Sequence, residues 1–341
     1  MKLKEQNCTT MADINQTMPF TFIDLFCGIG GFRIAAEASG GRCLFSCDID
    51  KDAQGAYEAN FGDKPAGDIK LIDAKSVPDH DVLFAGFPCQ PFSIIGLMNG
   101  MDDARGTLFF EIARILEAKK PRWFVLENVK QLVGHKNGRT LAHIVKIVEN
   151  LGYNVNWRVF NALDFGLPQK RERVYIVGSI DNTLFTWPSG SHSMTPLSQM
   201  LENNVAPKYF ASAAMQLKRL SSHKSKVSPS IWHENKAGHI SSYPYSCALR
   251  SNASYNYLLV NGVRRLTPRE QLRLQGFPDW FKIVTSDSAT RKQTGNAVAV
   301  PVVRAVIQQI IFAEQANQLY ETKNKNKTAR NTTLSFEPVP V

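Results

Sequence analysis

The sequence predicts an α/β protein: a mainly parallel sheet with helices on both faces, followed by a smaller, irregular region. Three observations carry this. Short apolar runs alternate with stretches of helical periodicity through the first half of the chain. Those runs lack polar alternation, as strands covered on both faces do. The patterning then stops after Gly178, where Ser, Asn, His and Tyr take over to about residue 260.

The elements follow in order. Residues 1–19 are polar and unpatterned and are expected to form a flexible N-terminus. Phe20–Phe26 is a strand entering the turn Gly28–Gly31, and Phe32–Ser39 is a helix stopped by Gly40-Gly41. Cys43–Asp50 is a second strand that ends in acids, and Asp81–Phe87 a third that ends at Pro88. Thr107–Lys120 is an amphipathic helix with Leu108, Ile112, Ile115 and Leu116 on one face, ended by Pro121. Trp123–Leu126 and Val174–Val177 are further strands. Asn296–Gln318 is a long helix, with Val300, Val303, Ile307 and Ile311 at helical spacing, that returns to the first domain. The expected domains are therefore 20–180 completed by 292–320, then 181–291, with a disordered tail at 321–341.

Bulk properties narrow the class. A chain of 341 residues suits one large and one smaller domain. No apolar run reaches the roughly 18 residues of a membrane span. The first residues lack the apolar core of a secretion signal, so an intracellular protein with free thiols is expected. Cys43 and Cys47 are spaced C-x3-C without a second pair, which reads as strand cysteines; no metal is expected.

Charge is concentrated. From Val205 to Gln275 there are eleven Lys and Arg against Glu234 and Glu270, a local excess of nine within a chain of net +10. Such a segment is the electrostatic footprint of a polyanion partner, although a solvated basic face has the same composition.

Glycines after the first strand let a backbone approach a ligand closely. Counted from Gly28 through Gly30, the dinucleotide fingerprint needs a third glycine where this chain has Arg33. Asp48, about 20 residues on, ends the second strand, where an acid can bind ribose hydroxyls. A nucleoside ligand without a diphosphate satisfies both facts, and S-adenosylmethionine is one. A purely structural glycine turn reads equally well from this motif alone.

Chemistry points to the next strand ends. Cys89 follows a strand directly and stands between two prolines that stiffen its loop. Glu127 follows four apolar residues at the end of another strand, an odd place for an acid without a task or a partner. Arg171 and Arg173, in Gln169–Arg173, suit holding an anionic or carbonyl group, although dense charge also marks a solvated loop.

These segments together resemble a known family. FIDLFCGIGGFR, GFPCQPFS, ENV, QKRERVYIVG, RRLTPREQLRLQGFPDWF and Gln293–Asn296 resemble, in order across residues 20–310, the motifs of DNA cytosine-5 methyltransferases. The length is similar to that of bacterial restriction–modification members. The resemblance implies a Rossmann-like, S-adenosylmethionine-dependent catalytic domain with a mixed sheet and a smaller target-recognition domain at 181–291. It implies that Cys89 adds to carbon-6 of a cytosine flipped out of duplex DNA, that Glu127 contacts ring nitrogen-3 and the exocyclic amine, and that Arg171 and Arg173 steady the base. It assigns S-adenosylmethionine to Phe26, Gly28, Gly30, Asp48, Ile49, Asp68, Pro88, Leu108 and Asn296. It assigns DNA to Gln90, Ser93, Lys218, Lys224 and Arg250. A monomer in the bacterial cytoplasm, paired in function with a restriction endonuclease, is the expected setting. The family usually has Glu where this chain has Asp48, and often Thr-Leu where it has Ala248-Leu249.

Other readings stand beside this one. A dehydrogenase uses the same glycine turn but does not explain Cys89, Glu127 and the basic region together. An RNA-methylating relative and a non-catalytic DNA-binding relative share much of the pattern, and the long basic region favours duplex DNA.

Overall fold

The computed structural model describes residues 19–87, 108–181, 183–235 and 237–333. The expected flexible segment up to residue 18 lies outside them.

Six strands form the main sheet in the order β2-β1-β3-β4-β7-β5. Strands β1 (Phe20–Leu25), β2 (Gly41–Cys47), β3 (Val82–Gly86) and β4 (Trp123–Val129) run parallel. Strand β7 (Glu172–Ser179) is antiparallel to both its neighbours, β4 and β5 (Asn154–Asn161). The sheet is thus mixed, with its parallel half carrying the glycine turn and the segment that leads to Cys89.

Alternate residues of each strand serve two cores, as the pleat requires. Phe22, Phe84, Val125 and Tyr175 pack with α1 (Gly31–Glu37) and with the long helix α9 (Val300–Thr333). Ile23, Leu83, Leu126 and Ile176 pack on the other face with α3 (Leu108–Lys119) and α5 (Arg139–Asn150). Between these come α2 (Lys51–Phe61) and α4 (Gln131–Gly134). The helical stretch Asp287–Tyr320, which includes the first part of α9, is long and apolar enough for a membrane span. Its residues Val302, Val303, Val306, Ile307 and Ile310 are nonetheless buried in the core.

Among the elements not expected from periodicity are three of the catalytic half. Helix α2 contains Gly55 and is weakly amphipathic; its clearest mark is Asp50, whose side chain caps the N–H groups of Asp52 and Ala53. Helix α5 and edge strand β5 follow the Trp123 strand and fill the stretch before β7.

The sheet ends at Ser179. Beyond it, β8 (Ile231–Glu234), β9 (Ile240–Tyr243) and β11 (Leu258–Val260) form a separate antiparallel sheet. Its core gathers Leu197, Ile231, Leu249, Tyr257, Leu258, Val260, Leu266 and Leu274. Helix α6 (Ala213–Ser222) flanks it, and α7 (Pro268–Leu274) leads back to α8 (Asp287–Asn296). A short parallel pairing of β10 (Ser246–Cys247) with β6 (Gln169–Lys170) ties the two regions together.

Two boundaries differ from expectation. The helix expected from Asn296 starts at Val300 as α9, and a separate helix not expected from the pattern, α8, ends at Asn296. The tail expected to be disordered from 321 is helical to Thr333, since no Gly or Pro interrupts residues 302–333.

Candidate active site

The carboxyl ends of β1, β2, β3 and β4 lie side by side, and Phe26, Gly28, Asp48, Ile49 and Glu127 stand at or near them. At the end of β1, Phe26 has a left-handed backbone (φ 56°), uncommon for a non-glycine residue and a form of strain that collects at functional loops. Gly28 follows with φ 53° and open space where a side chain would be. Asp48 holds this loop: one carboxylate oxygen accepts the Gly28 N–H at 2.8 Å, the other the Asp50 N–H at 2.8 Å. Burial raises the Asp48 pKa, and the backbone donors oppose that. Cys27 N–H bonds to Cys47 O, and Asp48 N–H to Ala66 O, so the turns after β1 and β2 and the segment approaching Asp68 form one rim.

Ile49 stands on that rim 69% exposed, a large apolar side chain facing solvent among the described residues. Asp68 caps the next short turn through Lys70 N–H. Leu108 opens α3 and packs against the same core as Phe26. Asn296, at the end of α8, is exposed, and Lys292 of that helix reaches Asp50 at 2.7 Å. Open space over Gly28, an uncovered apolar side chain and two acids on one rim fit a nucleoside with a charged tail. The residues present therefore suit S-adenosylmethionine.

The second group of residues stands beside it. Gly86 ends β3 and pairs in register with Glu127 of β4. Glu127 is 6% exposed, and Oε2 would lie 3.9 Å from a side-chain carbon built at Gly86. Arg173, on β7, brings Nε within 3.0 Å of Glu127 Oε1, and its Nη1 donates to Glu172 O at 2.8 Å. The Glu127–Arg173 contact is an ion pair without an aligned N–H···O hydrogen bond. Tyr175 is the cross-strand partner of Glu127, and its buried hydroxyl has no hydrogen-bond partner among the described residues. Burial, then the Glu127 charge, pushes the Tyr175 pKa up.

Pro88, Cys89, Gln90 and Ser93 lie outside the described residues. The described chain stops at Phe87, two residues before Cys89. There Asn128 Nδ2 donates to Phe87 O at 3.0 Å, so the residue after Glu127 anchors the approach to the cysteine. Sequence reasoning assigned Asn128 no role; its signal was a second polar residue where an apolar strand ends.

Arg171 departs from its expected place. It is 2% exposed, and its guanidinium is spent on three backbone carbonyls: Leu249 at 3.2 Å, Gly295 at 3.2 and 3.3 Å, and Ala297 at 2.7 Å. Desolvation, then the neighbouring Arg173 charge, lowers its pKa to about 10. Arg173, not Arg171, is the arginine on Glu127.

The basic region is less free than its composition. Arg219 is buried against Glu234, Arg264 forms a bidentate pair with buried Glu270, and Arg273 forms another with Asp279. Lys208 pairs with Asp287, and Arg265 donates to Lys208 O. Lys218 is 74% exposed with only a 3.9 Å contact to Glu234, and Lys224 is exposed. Arg250 is also exposed; its backbone N–H donates to Tyr257 Oη at 3.0 Å and its guanidinium lies 4.8 Å from the Tyr257 ring centre.

Comparison with known proteins gives a consistent result. Residues 20–312 match the family model for C-5 cytosine-specific DNA methylase. The chain is 54% identical over 301 residues to the Type II methyltransferase M.NgoBI of Neisseria gonorrhoeae, covering 87% of this chain and 95% of that protein. It is 56% identical over 287 residues to the Type II methyltransferase M.HaeII of Haemophilus aegyptius, covering 83% and 90%. Among solved structures, the fold resembles the S. pombe Dnmt2 methyltransferase (TM-score 0.66, 21% identity, 85% of this chain and 97% of that one). It also resembles the Entamoeba histolytica methyltransferase EhMeth (TM-score 0.67, 18% identity, 87% and 99%).

Proposed function

The chain belongs to the C-5 cytosine-specific DNA methylase family, and from that premise we propose that it methylates one cytosine of a duplex DNA site through a covalent adduct on Cys89, with the base turned out of the helix. The observation that carries the proposal is the position of Glu127. It is a buried acid, ion-paired to Arg173, standing in register beside the end of the strand that leads to Cys89.

The chain's residues divide the work. The Cys89 thiolate adds to carbon-6 of the ring. Glu127 holds or delivers the proton at ring nitrogen-3, so the ring does not become a free anion as the adduct forms. Arg173 fixes the Glu127 carboxylate and presents positive charge beside the ring carbonyl. Asn128, through Phe87, keeps the approach to Cys89 in register. S-adenosylmethionine supplies, when bound, a methyl group on a positively charged sulfur. Gly28, Gly30, Asp48, Asp68 and Asn296 would hold its polar parts, and Phe26, Ile49 and Leu108 its apolar ones. Asp48 has roughly four acceptor sites, and its backbone donors, Gly28 and Asp50 first, leave capacity for a ribose hydroxyl. Once carbon-5 carries the methyl group, loss of its proton restores the ring and expels Cys89. Turning the base out costs on the order of a few kcal/mol, offset by contacts to the flipped base and the duplex. The duplex is held by the exposed lysines of the second region, with Arg250 placed to read a base edge.

The biological setting proposed is a monomer in the bacterial cytoplasm whose methylation guards DNA against a partner restriction endonuclease. Support comes from the Type II names of the relatives. Transfer of a tritiated methyl group tests the reading. Duplex DNA should be labelled, with the label recovered as 5-methylcytosine, while transfer RNA should not. Label in RNA alone would overturn it.

A further inference from the structure

Leu249 is one of the points at which the recognition region is fastened to the catalytic region, beside the β10–β6 pairing. Its backbone is held on both sides by side chains from the segment that ends in Arg173. Gln169 Oε1 accepts the Leu249 N–H at 2.9 Å, and Arg171 donates to the Leu249 carbonyl at 3.2 Å. The same two side chains grip the opposite wall. Gln169 Nε2 donates to Leu274 O at 2.7 Å, and Arg171 to the carbonyls of Gly295 and Ala297. Gln275 Nε2 completes the buried network on Thr294 O at 2.5 Å.

An independent observation concerns the next residues. A side-chain carbon at Gly295 would sit 2.3 Å from Ser251 N and 2.7 Å from the Arg250 carbonyl carbon. The backbone of Arg250 and Ser251 therefore rests directly on Gly295, beside Asn296. The exposed Arg250 side chain starts from a backbone fixed on three sides. Two residues along from Arg171, Arg173 is on Glu127.

We propose that Arg171 is a positioning residue for target recognition: it registers the segment starting at Arg250 against the cytosine site, so that a correct base contact and a seated cytosine occur together. The planar fork is what allows one side chain to bridge carbonyls of Leu249, Gly295 and Ala297. A lysine keeps the charge but, as a point donor on a flexible stem, cannot hold that fixed geometry. The inference rests on the reading that this chain recognises a site in duplex DNA.

The test compares wild type with Arg171→Lys and, as a second approach from the other wall, Gly295→Ala. The site is first identified by bisulfite sequencing of host DNA methylated by the wild-type protein. Methyl transfer is then measured on the site, on its single-base-pair variants, and on the site with the target cytosine mispaired. Arg171→Lys loses one or two charged hydrogen bonds, and the added methyl of Gly295→Ala pushes on the Arg250–Ser251 backbone; each should lower discrimination between the site and its variants about tenfold. On the mispaired duplex, where flipping is easier, kcat should return to within roughly threefold of wild type. A uniform fall in kcat on every duplex, with discrimination unchanged, would overturn the inference. Should Arg171→Lys fail to fold, Gly295→Ala decides by the same criterion. If the wild-type protein labels no duplex DNA, the functional reading itself fails, a result distinct from either outcome.

Discussion

Gly86 and Glu127 are direct partners in the parallel β3–β4 ladder, and this pairing sets a buried acid beside the chain three residues before Cys89. In the proposed mechanism, the acid and the segment that leads to the nucleophile thus stand on neighbouring strands of one sheet. Replacing Glu127 by Gln keeps shape and removes the acid. We expect Glu127→Gln to lower kcat at least 100-fold, within the usual range for losing a positioned acid–base group, with the KM for DNA within about threefold. Steady-state methyl transfer checks this, and near-normal turnover would remove Glu127 from the chemistry.

Arg173 neutralises that acid. Arg173→Ala leaves a carboxylate with 8% side-chain exposure without its cation. We expect a loss of about 1–3 kcal/mol of folding stability, from an uncompensated buried charge partly relieved by solvent. Urea unfolding of the double variant Glu127→Gln/Arg173→Ala should recover most of that loss, while activity stays absent. A double variant no more stable than Arg173→Ala would show that the ion pair is not what Arg173 contributes.

In the proposed site, Asp48 would act on the cofactor through the loop as well as directly. Its two oxygens fix the N–H groups of Gly28 and Asp50. Asp48→Ala should raise the dissociation constant for S-adenosylmethionine about tenfold or more, the equivalent of one or two charged hydrogen bonds. Asp48→Asn should also weaken binding, because its NH2 group cannot accept an N–H. Titration calorimetry measures both, and wild-type affinity in Asp48→Asn would show that charge and acceptor count at this position do not matter.

The second region should divide its labour between affinity and reading. Lys218→Ala and Lys224→Ala should each flatten the slope of log K against log salt by about one unit and weaken all duplexes alike. Arg250→Ala should relax specificity at one base pair by about 1–3 kcal/mol and leave non-specific binding nearly unchanged. Competition across single-base variants separates the two behaviours. An equal loss on every variant would make Arg250 another phosphate contact.

Much of the catalytic sheet was legible because its punctuation is local. Gly28, Gly40, Pro88 and Pro121 mark strand and helix ends wherever the chain later goes. The nominated groups at the carboxyl ends of β1, β2 and β4 followed from the same rule. What was not legible depends on distant partners. Arg171 and Arg173 are alike in sequence, and only the arrival of Leu249, 78 residues later, and of Gly295 and Ala297 decides that one is a strut and the other faces Glu127. The local excess of nine stands, but composition does not say which cations are free: the fold pairs Arg219, Arg264 and Arg273 with Glu234, Glu270 and Asp279. Gln169 and Gln275 gave no signal, since uncharged amides acquire their meaning only when buried.

The central claim is that Cys89 forms the covalent bond to cytosine. Duplex DNA carrying 5-fluorocytosine at the target position tests it, because fluorine at carbon-5 blocks the final elimination and traps the adduct. The protein incubated with this duplex and S-adenosylmethionine should give a denaturation-resistant complex, and peptide mass spectrometry should place the modified nucleotide on Cys89. Cys89→Ser should bind the duplex yet form no such complex. An adduct mapped to Cys27, Cys43, Cys47 or Cys247, or a trapped complex in Cys89→Ser, would contradict the account.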